Sequence, residues 1–282
     1  MSRLIKRILA VLLVIAAAAS LCACFGGKPS TDTDESQAPV SDTDGTYETE
    51  PAVPVSDTDG TEPAESPAPT ANAGGTQQDP SAIPVKTAAD LKKLTCGAVF
   101  TLGRYEQDCS EKNGPEAVEW IVVAIEDGRI LAISRYALFA QTMNSKMWEG
   151  TTWEKCDLRK MLNTQFYGQT FNDEEKLLIA EAQTEEDAKG KPVKDKVFVL
   201  SREEFEKFIE TDLSLVYCLP TEYALTTGAY HSEKGFTPWW LRTEYDRNDR
   251  MCVIGMNTGK IEPNYPFNGG GSVRPAIWLN CD

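Results

Sequence analysis

Two arginines stand among bulky apolar residues near the end of this 282-residue chain. Arg242 closes Pro238-Trp239-Trp240-Leu241-Arg242, and Arg274 opens Arg274-Pro275-Ala276-Ile277-Trp278-Leu279 after Ser272-Val273. A guanidinium presents its N–H donors in a rigid fork and stays charged at any physiological pH. Left buried and unpaired, either one would be prohibitively costly. Each must therefore meet carboxylates or backbone carbonyls, or face a ligand beside Trp240 or Tyr245. Oxygen ligands cluster in the loops between the two stretches: Asp246, Asn248 and Asp249, then Glu262-Pro263-Asn264. Carboxylate and amide oxygens suit calcium, but a solvated loop and a turn account for the same residues without a metal, and no other cofactor is implied.

The remaining chemistry is sparse. His231 is the one histidine, so a Ser-His-Asp triad would have to use it, and no serine sits in a nucleophile-elbow sequence. Cys96, Cys109, Cys156, Cys218, Cys252 and Cys281 carry no C-x-x-C spacing that would suggest zinc. An even number of cysteines outside the cell suggests disulfides, though their connectivity stays open. Cys96 and Cys109 bracket the first strand and Cys252 and Cys281 flank the two arginine stretches, so these two pairs are expected. Buried free thiols are the competing reading.

The elements that must position these residues fill 86–282, a length that suits one domain. Thr87 with Asp90 reads as a capped helix start. A strand is expected over 98–103, a polar loop over 107–115, and a hairpin of strands 117–126 and 129–134 about the Asp127-Gly128 turn. Leu158, Met161, Leu162 and Phe166 share a helical face, Asn172 or Asp173 caps a second helix, and 184–194 reads as a charged loop. A short strand at 196–200 precedes a helix opened by Ser201, and 221–227 reads as a helical turn. The arginine stretches read as core strands with 251–256 between them. Early and late strands with helices between predict α+β.

The amino terminus is an address. Residues 1–23 hold three basic groups and no acid, an apolar run from Ile8 to Ala19, and Leu21-Cys22-Ala23-Cys24. The run has signal-peptide length and falls short of the roughly 20 residues of a membrane span. The stretch resembles a bacterial lipoprotein signal, which implies cleavage before Cys24, acylation of that cysteine and an extracytoplasmic, membrane-anchored protein. Residues 24–85 hold one lysine against twelve acids and repeat Pro-Val-Ser-Asp-Thr-Asp-Gly-Thr at Pro39 and Pro54. Too few apolar side chains are present to offset ordering, so a disordered tether is expected. Net charge is −15 overall, and an acidic domain on an acidic tether repels a phosphate backbone, which excludes nucleic acid as a partner.

Within the domain, Gly103-Arg104-Tyr105, Trp120-Ile121-Val122-Val123, Asp157-Leu158-Arg159 with Leu162-Asn163, Trp239-Trp240-Leu241-Arg242 and Val273-Arg274-Pro275-Ala276-Ile277-Trp278-Leu279 resemble an uncharacterised domain family of secreted proteins in Gram-positive gut bacteria. That family has no activity to carry over. A looser resemblance runs to the C-type-lectin-like fold, including formylglycine-generating enzymes, and implies a single domain of short helices and a twisted antiparallel sheet. Glu262-Pro263-Asn264 copies three residues of mannose-type lectins, without the Trp-Asn-Asp that follows there. The expectation is therefore a lipoprotein presenting a domain that binds a glycan or protein without chemistry. Its candidate contacts are Trp240, Arg242, Tyr245, Asp246, Asp249, Glu262, Asn264 and Arg274. The alternatives are an oxidase of the formylglycine-generating kind, using Cys252 and Cys281, and a solute-binding lipoprotein, for which the domain is short.

Overall fold

A computed structural model describes residues 78–110, 112–146, 151–186, 189–246 and 249–282. The signal segment, Cys24 and the tether up to residue 77 lie outside them, as does Asn248. No helix among the described residues is long and apolar enough to cross a membrane.

The expected hairpin forms the middle of the first sheet. Asp127 and Gly128 both take positive φ, 49° and 72°, which the two-residue turn requires and which Asp and Gly tolerate. Along its first strand Val118, Trp120, Val122 and Ala124 alternate inward. The sheet comprises β1 (Ile83–Pro84), β2 (Val99–Tyr105), β3 (Glu116–Glu126), β4 (Arg129–Ser134) and, last in the chain, β12 (Ala276–Asn280), in the order β1-β2-β3-β4-β12. Only the β1–β2 pairing is parallel. A short helix, α1 (Ala88–Leu91), links β1 to β2 and carries the Thr87–Asp90 capping box.

The second sheet has the order β10-β9-β8-β11-β5, from β5 (Phe139–Ala140), β8 (Trp239–Asp246), β9 (Arg250–Ile254), β10 (Ile261–Asn264) and β11 (Ser272–Val273). The second arginine stretch is thus two strands. Ser272 pairs with Trp239 in the second sheet, while Ala276 pairs with Ile133 in the first. Pro275 supplies no N–H for a continuous ladder, and Arg274-Pro275 forms the crossing between sheets.

β12 is covered on both sides. Opposite β4, the Ala180 N–H donates to the Trp278 carbonyl (2.8 Å), and Phe198 and Ala276 exchange backbone hydrogen bonds. The region expected as a strand at 196–200 contributes only this bridge. The expected loop at 184–194 instead belongs to a hairpin of β6 (Ala182–Glu186) and β7 (Pro192–Asp195). Its inner face is closed by polar groups: buried Asp195 accepts from the Thr184 hydroxyl (2.6 Å), the Trp153 indole (2.9 Å) and Arg159 Nε (2.7 Å). A hairpin so closed lacks the apolar alternation that marks a strand in sequence.

Short helices fill the space between. α2 (Asp157–Met161) starts on the Cys156 thiol, which accepts from the Arg159 N–H, and runs through a π-helical turn, Leu162–Phe166, into α3 (Tyr167–Thr170). α4 (Asp173–Leu178) and α5 (Arg202–Phe208) carry the Asn172–Glu175 and Ser201–Glu204 capping boxes. α6 (Leu213–Val216) and α7 (Glu222–Thr226) follow. The result is a mixed α/β arrangement of antiparallel-rich sheets and short helices.

The ordered contacts begin before residue 86. The Gln78 amide donates to the Ala117 carbonyl (3.1 Å), the Asp79 N–H donates to the buried Glu119 carboxylate, and Arg135 holds both Asp79 and Glu119. Val85 is already in the core at 3% exposure.

Candidate functional site

Arg242 leaves β8 pointing under the β6–β7 hairpin, with a side chain only 8% exposed. Its Nε donates to the Thr184 carbonyl (3.0 Å) and Nη1 to the Val199 carbonyl (2.8 Å). Glu204 takes the fork on both oxygens, Nη1–Oε2 at 2.6 Å and Nη2–Oε1 at 2.9 Å. The same Glu204 closes the α5 capping box on the Ser201 N–H (2.9 Å), so one carboxylate fixes the helix start and the arginine together. The guanidinium also lies over the Phe198 ring, 5.3 Å from its centroid.

Above this pair opens a cleft of about 380 Å³ lined by Thr184, Glu185, Ser201, Glu203, Arg242, Thr243 and Glu244. Burial pushes the Glu185 carboxyl above the ordinary value, a backbone hydrogen bond from Glu154 and the Arg242 charge pull it down, and the negative charges of Glu244 and Glu154 push it up. Burial, then the charge of Asp249, pushes Glu244 up. Glu203 is held low, first by its own backbone N–H and by Ser201. The Oε2 atom of Glu185 is buried with no hydrogen-bond partner.

The other expected contacts lie elsewhere. Trp240 is fully buried, its indole spent on the Gln141 carbonyl (2.9 Å). Arg274 is 1% exposed, donates to the Ser134 carbonyl (2.9 Å) and the Leu215 carbonyl, and lies 5.1 Å from the Trp239 ring centroid. Neither presents a surface to a ligand. Tyr245 is partly exposed between Arg202 and Arg250, whose guanidinium carbons lie 5.5 and 5.7 Å from its ring centroid. Asp246 pairs with Arg250, and Asp249 takes positive φ at the same turn. On β10, Glu262 accepts from the Thr258 hydroxyl (2.5 Å) and Asn264 from the Asn268 amide (3.0 Å), so each oxygen serves a neighbouring turn.

The expected disulfides do not form: all six described cysteines are free thiols. Cys96 and Cys109 lie beyond opposite ends of the seven-residue strand β2, and the Cys109 sulfur lies against the Thr226 hydroxyl. Cys252 sits in β9 of the second sheet, its sulfur accepting from Arg202 Nη2 (3.3 Å), while Cys281 follows β12 of the first, its N–H on the Gly128 carbonyl. Cys156 serves as a helix cap, and burial pushes its thiol up to about 12. Burial also pushes up Cys218 and Cys252.

The model of a family described as a domain of unknown function, DUF6273, matches residues 127–281. The chain belongs to this family. The DUF6273 match runs from the Asp127-Gly128 turn to the end of β12 and contains both arginine stretches and the whole cleft lining. It leaves out β1, β2 and β3, which complete the first sheet. No curated protein matches the chain, and no solved structure does.

Sequence reading missed Glu185, Glu203, Glu204 and Glu244. Ser201-Arg202-Glu203-Glu204 was legible as a helix start, but nothing local ties Glu204 to an arginine 38 positions away.

Proposed function

We propose that this protein is an extracytoplasmic lipoprotein, anchored through acylated Cys24, whose DUF6273 domain binds a glycan without chemistry. The domain has a C-type-lectin-like arrangement in this reading. Supporting it, the last strand returns to pair with the first hairpin, and the second sheet with its loops is carried between them.

The observation that carries the binding function is the cleft over Arg242. Its volume falls within the roughly 300–1,000 Å³ of small-molecule sites, and its lining is carboxylate, hydroxyl and guanidinium. Such a lining suits a ligand that is itself a dense array of hydroxyls. Arg242 makes four hydrogen bonds, which leaves one Nη2 N–H for a ligand oxygen. The floor is held by Glu204 and backbone, so the site is organised before a ligand arrives.

A glycan array probed with the full chain, with and without calcium, tests the reading. Binding is expected, and Glu244→Ala and Glu203→Ala are expected to weaken it about tenfold or more, in line with the loss of a charge-assisted hydrogen bond. Melting temperature should not fall for Glu244→Ala, whose ionised carboxylate opposes folding, and should fall a little for Glu203→Ala, whose carboxylate the fold holds low. A loss on adding chelator would bring Glu262 and Asn264 into the site. Absence of any glycan signal, or release of cleaved product, would overturn binding without chemistry.

A further inference from the structure

We infer that the loop at 265–271, with Tyr230 laid on it, is a stacking surface for a neutral sugar, a pyranose whose hydroxyls are equatorial and whose ring faces are C–H. The surface shares no residue with the lining of the cleft over Arg242 and does not rest on that site.

The first ground is the run Gly269-Gly270-Gly271. None of the three takes a positive φ, so turn geometry does not call for them. Ring contacts call for two of them. A Cβ on Gly270 would fall 2.0–2.5 Å from three consecutive carbons of the Tyr230 ring, and one on Gly271 would fall 2.2–2.4 Å from three neighbouring atoms of the Trp240 indole. Near-equal distances to adjacent ring atoms put each glycine under the face of its ring. Trp240 is the buried ring, whereas Tyr230 is 56% exposed. One face of Tyr230 is therefore held flat on the backbone, and its exposure falls on the other.

The second ground is the order and composition of the loop. Tyr265, 46% exposed, stacks on Phe267 with ring centroids 5.3 Å apart. The Asn268 N–H donates to the Tyr265 carbonyl (2.9 Å), the Gly270 N–H to Asn268 Oδ1 (3.0 Å) and the Asn144 N–H to the Pro266 carbonyl (3.0 Å). The rings are thus placed before a ligand arrives. Residues 263–273 include no charged side chain, in a chain that is 25% charged. The loop itself offers an ionic ligand no counter-charge.

The third ground is the pairing of bare rings with spare amides. The face of an aromatic ring is electron-rich and attracts the weakly positive C–H face of a pyranose. A tyrosine already seated loses little freedom on binding. The Asn268 amide spends one N–H on Asn264 Oδ1, and the Asn264 amide N–H groups bond no described residue. Such donors suit the hydroxyls at a sugar's edge. A lipid chain would use the rings and leave the amides idle. A protein partner would need about 800 Å² on this side, more than two rings of at most about 250 Å² each supply.

The experiment is titration of the full chain with a β1,4-linked glucose hexamer, read by calorimetry and by saturation-transfer NMR. The hexamer should bind with an affinity indifferent to salt, and saturation should be strongest on its axial ring protons, the signature of stacking. Tyr230→Ala and Tyr265→Ala should each weaken binding about fivefold or more, with circular dichroism unchanged, and Tyr230→Phe should stay within about twofold of wild type. Binding that survives both alanine substitutions but is lost on Glu244→Ala would overturn the stacking surface and leave the cleft reading standing. Failure of the hexamer to bind would overturn the stacking surface whatever the array shows, and tyrosine-dependent adsorption to phosphatidylcholine vesicles would then assign the rings to lipid.

Discussion

Arg242 and Glu204 meet as a two-pronged pair, 2.6 and 2.9 Å on the two forks, and Glu204 is at the same time the residue that caps α5. The strand residue and the helix start therefore depend on one carboxylate, and a substitution at either end acts on both.

Arg242→Lys should destabilise the domain by about 1–3 kcal/mol, the scale for leaving buried acceptors without their donors. A lysine ammonium cannot reach the Thr184 and Val199 carbonyls and both Glu204 oxygens from one point. Urea unfolding of the variant measures the loss. Glu204→Gln keeps an acceptor for the Ser201 N–H but leaves the Arg242 guanidinium without its counter-charge, so it should cost more than Arg242→Lys, about 3–5 kcal/mol.

Arg274 gives a different result at a position of the same residue type. Its described partners are carbonyls, and burial pulls its guanidinium below the ordinary value. Arg274→Lys should remove one of the two carbonyl contacts and the guanidinium's approach to the Trp239 ring, costing about 2–4 kcal/mol. Differential scanning calorimetry should show a lower melting temperature at every ligand concentration, because the side chain touches no solvent-facing cleft.

The cleft carboxyls set a pH dependence. Glu185 and Glu244 titrate above the ordinary carboxyl value in the fold, so their ionised forms oppose folding. Their contribution is most favourable below the unfolded carboxyl value, about 4, and is lost as pH rises through the raised folded values. Glu185→Gln and Glu244→Gln should therefore raise the melting temperature at pH 7. The gain should vanish at about pH 3, where the wild-type carboxyls are protonated too. A gain that persists in acid would show that amide packing, and not relief from ionisation, produces it.

A fragment beginning at 127 should not fold, whereas one beginning at 78 should. The first would expose the β4 edge and lose Phe100, Val118, Trp120 and Val122, all at most 1% exposed. Far-ultraviolet circular dichroism and a cooperative melt would separate the two fragments. A cooperative melt from residues 127–282 alone would contradict the sheet order found here.

Much of this was legible where its cause is local. The Asp127-Gly128 turn, the inward alternation of β3 and the capping residues Thr87, Asn172 and Ser201 are set by neighbours within a few positions. The need of Arg242 and Arg274 for partners was also legible, since desolvation of a guanidinium does not depend on the fold. Who the partners are was not, because Glu204 and the Leu215 carbonyl arrive from distant segments. The cysteine pairs failed for the same reason: proximity to the two strands in sequence places Cys252 and Cys281 on different sheets. The β6–β7 hairpin was hidden because Asp195 and Thr184, which face inward, look like loop residues.

The crossing at Arg274-Pro275 also governs when the domain can form. Arg274 bonds to Ser134 across 140 positions, and the strand beyond it fills the slot between β4 and the segments at Ala180 and Phe198. A chain made from its amino terminus holds that slot open until Ala276–Asn280 emerge. Closing so long a loop before any contact rewards it slows folding. Until then the neighbouring backbone edges at Ala180, Phe198 and β4 lack their partner, so the nascent chain passes through a stage that invites pairing with other chains. β12 thus acts as a completion step for folding, and its removal leaves the β4 edge and the backbone at Ala180 and Phe198 without their partner.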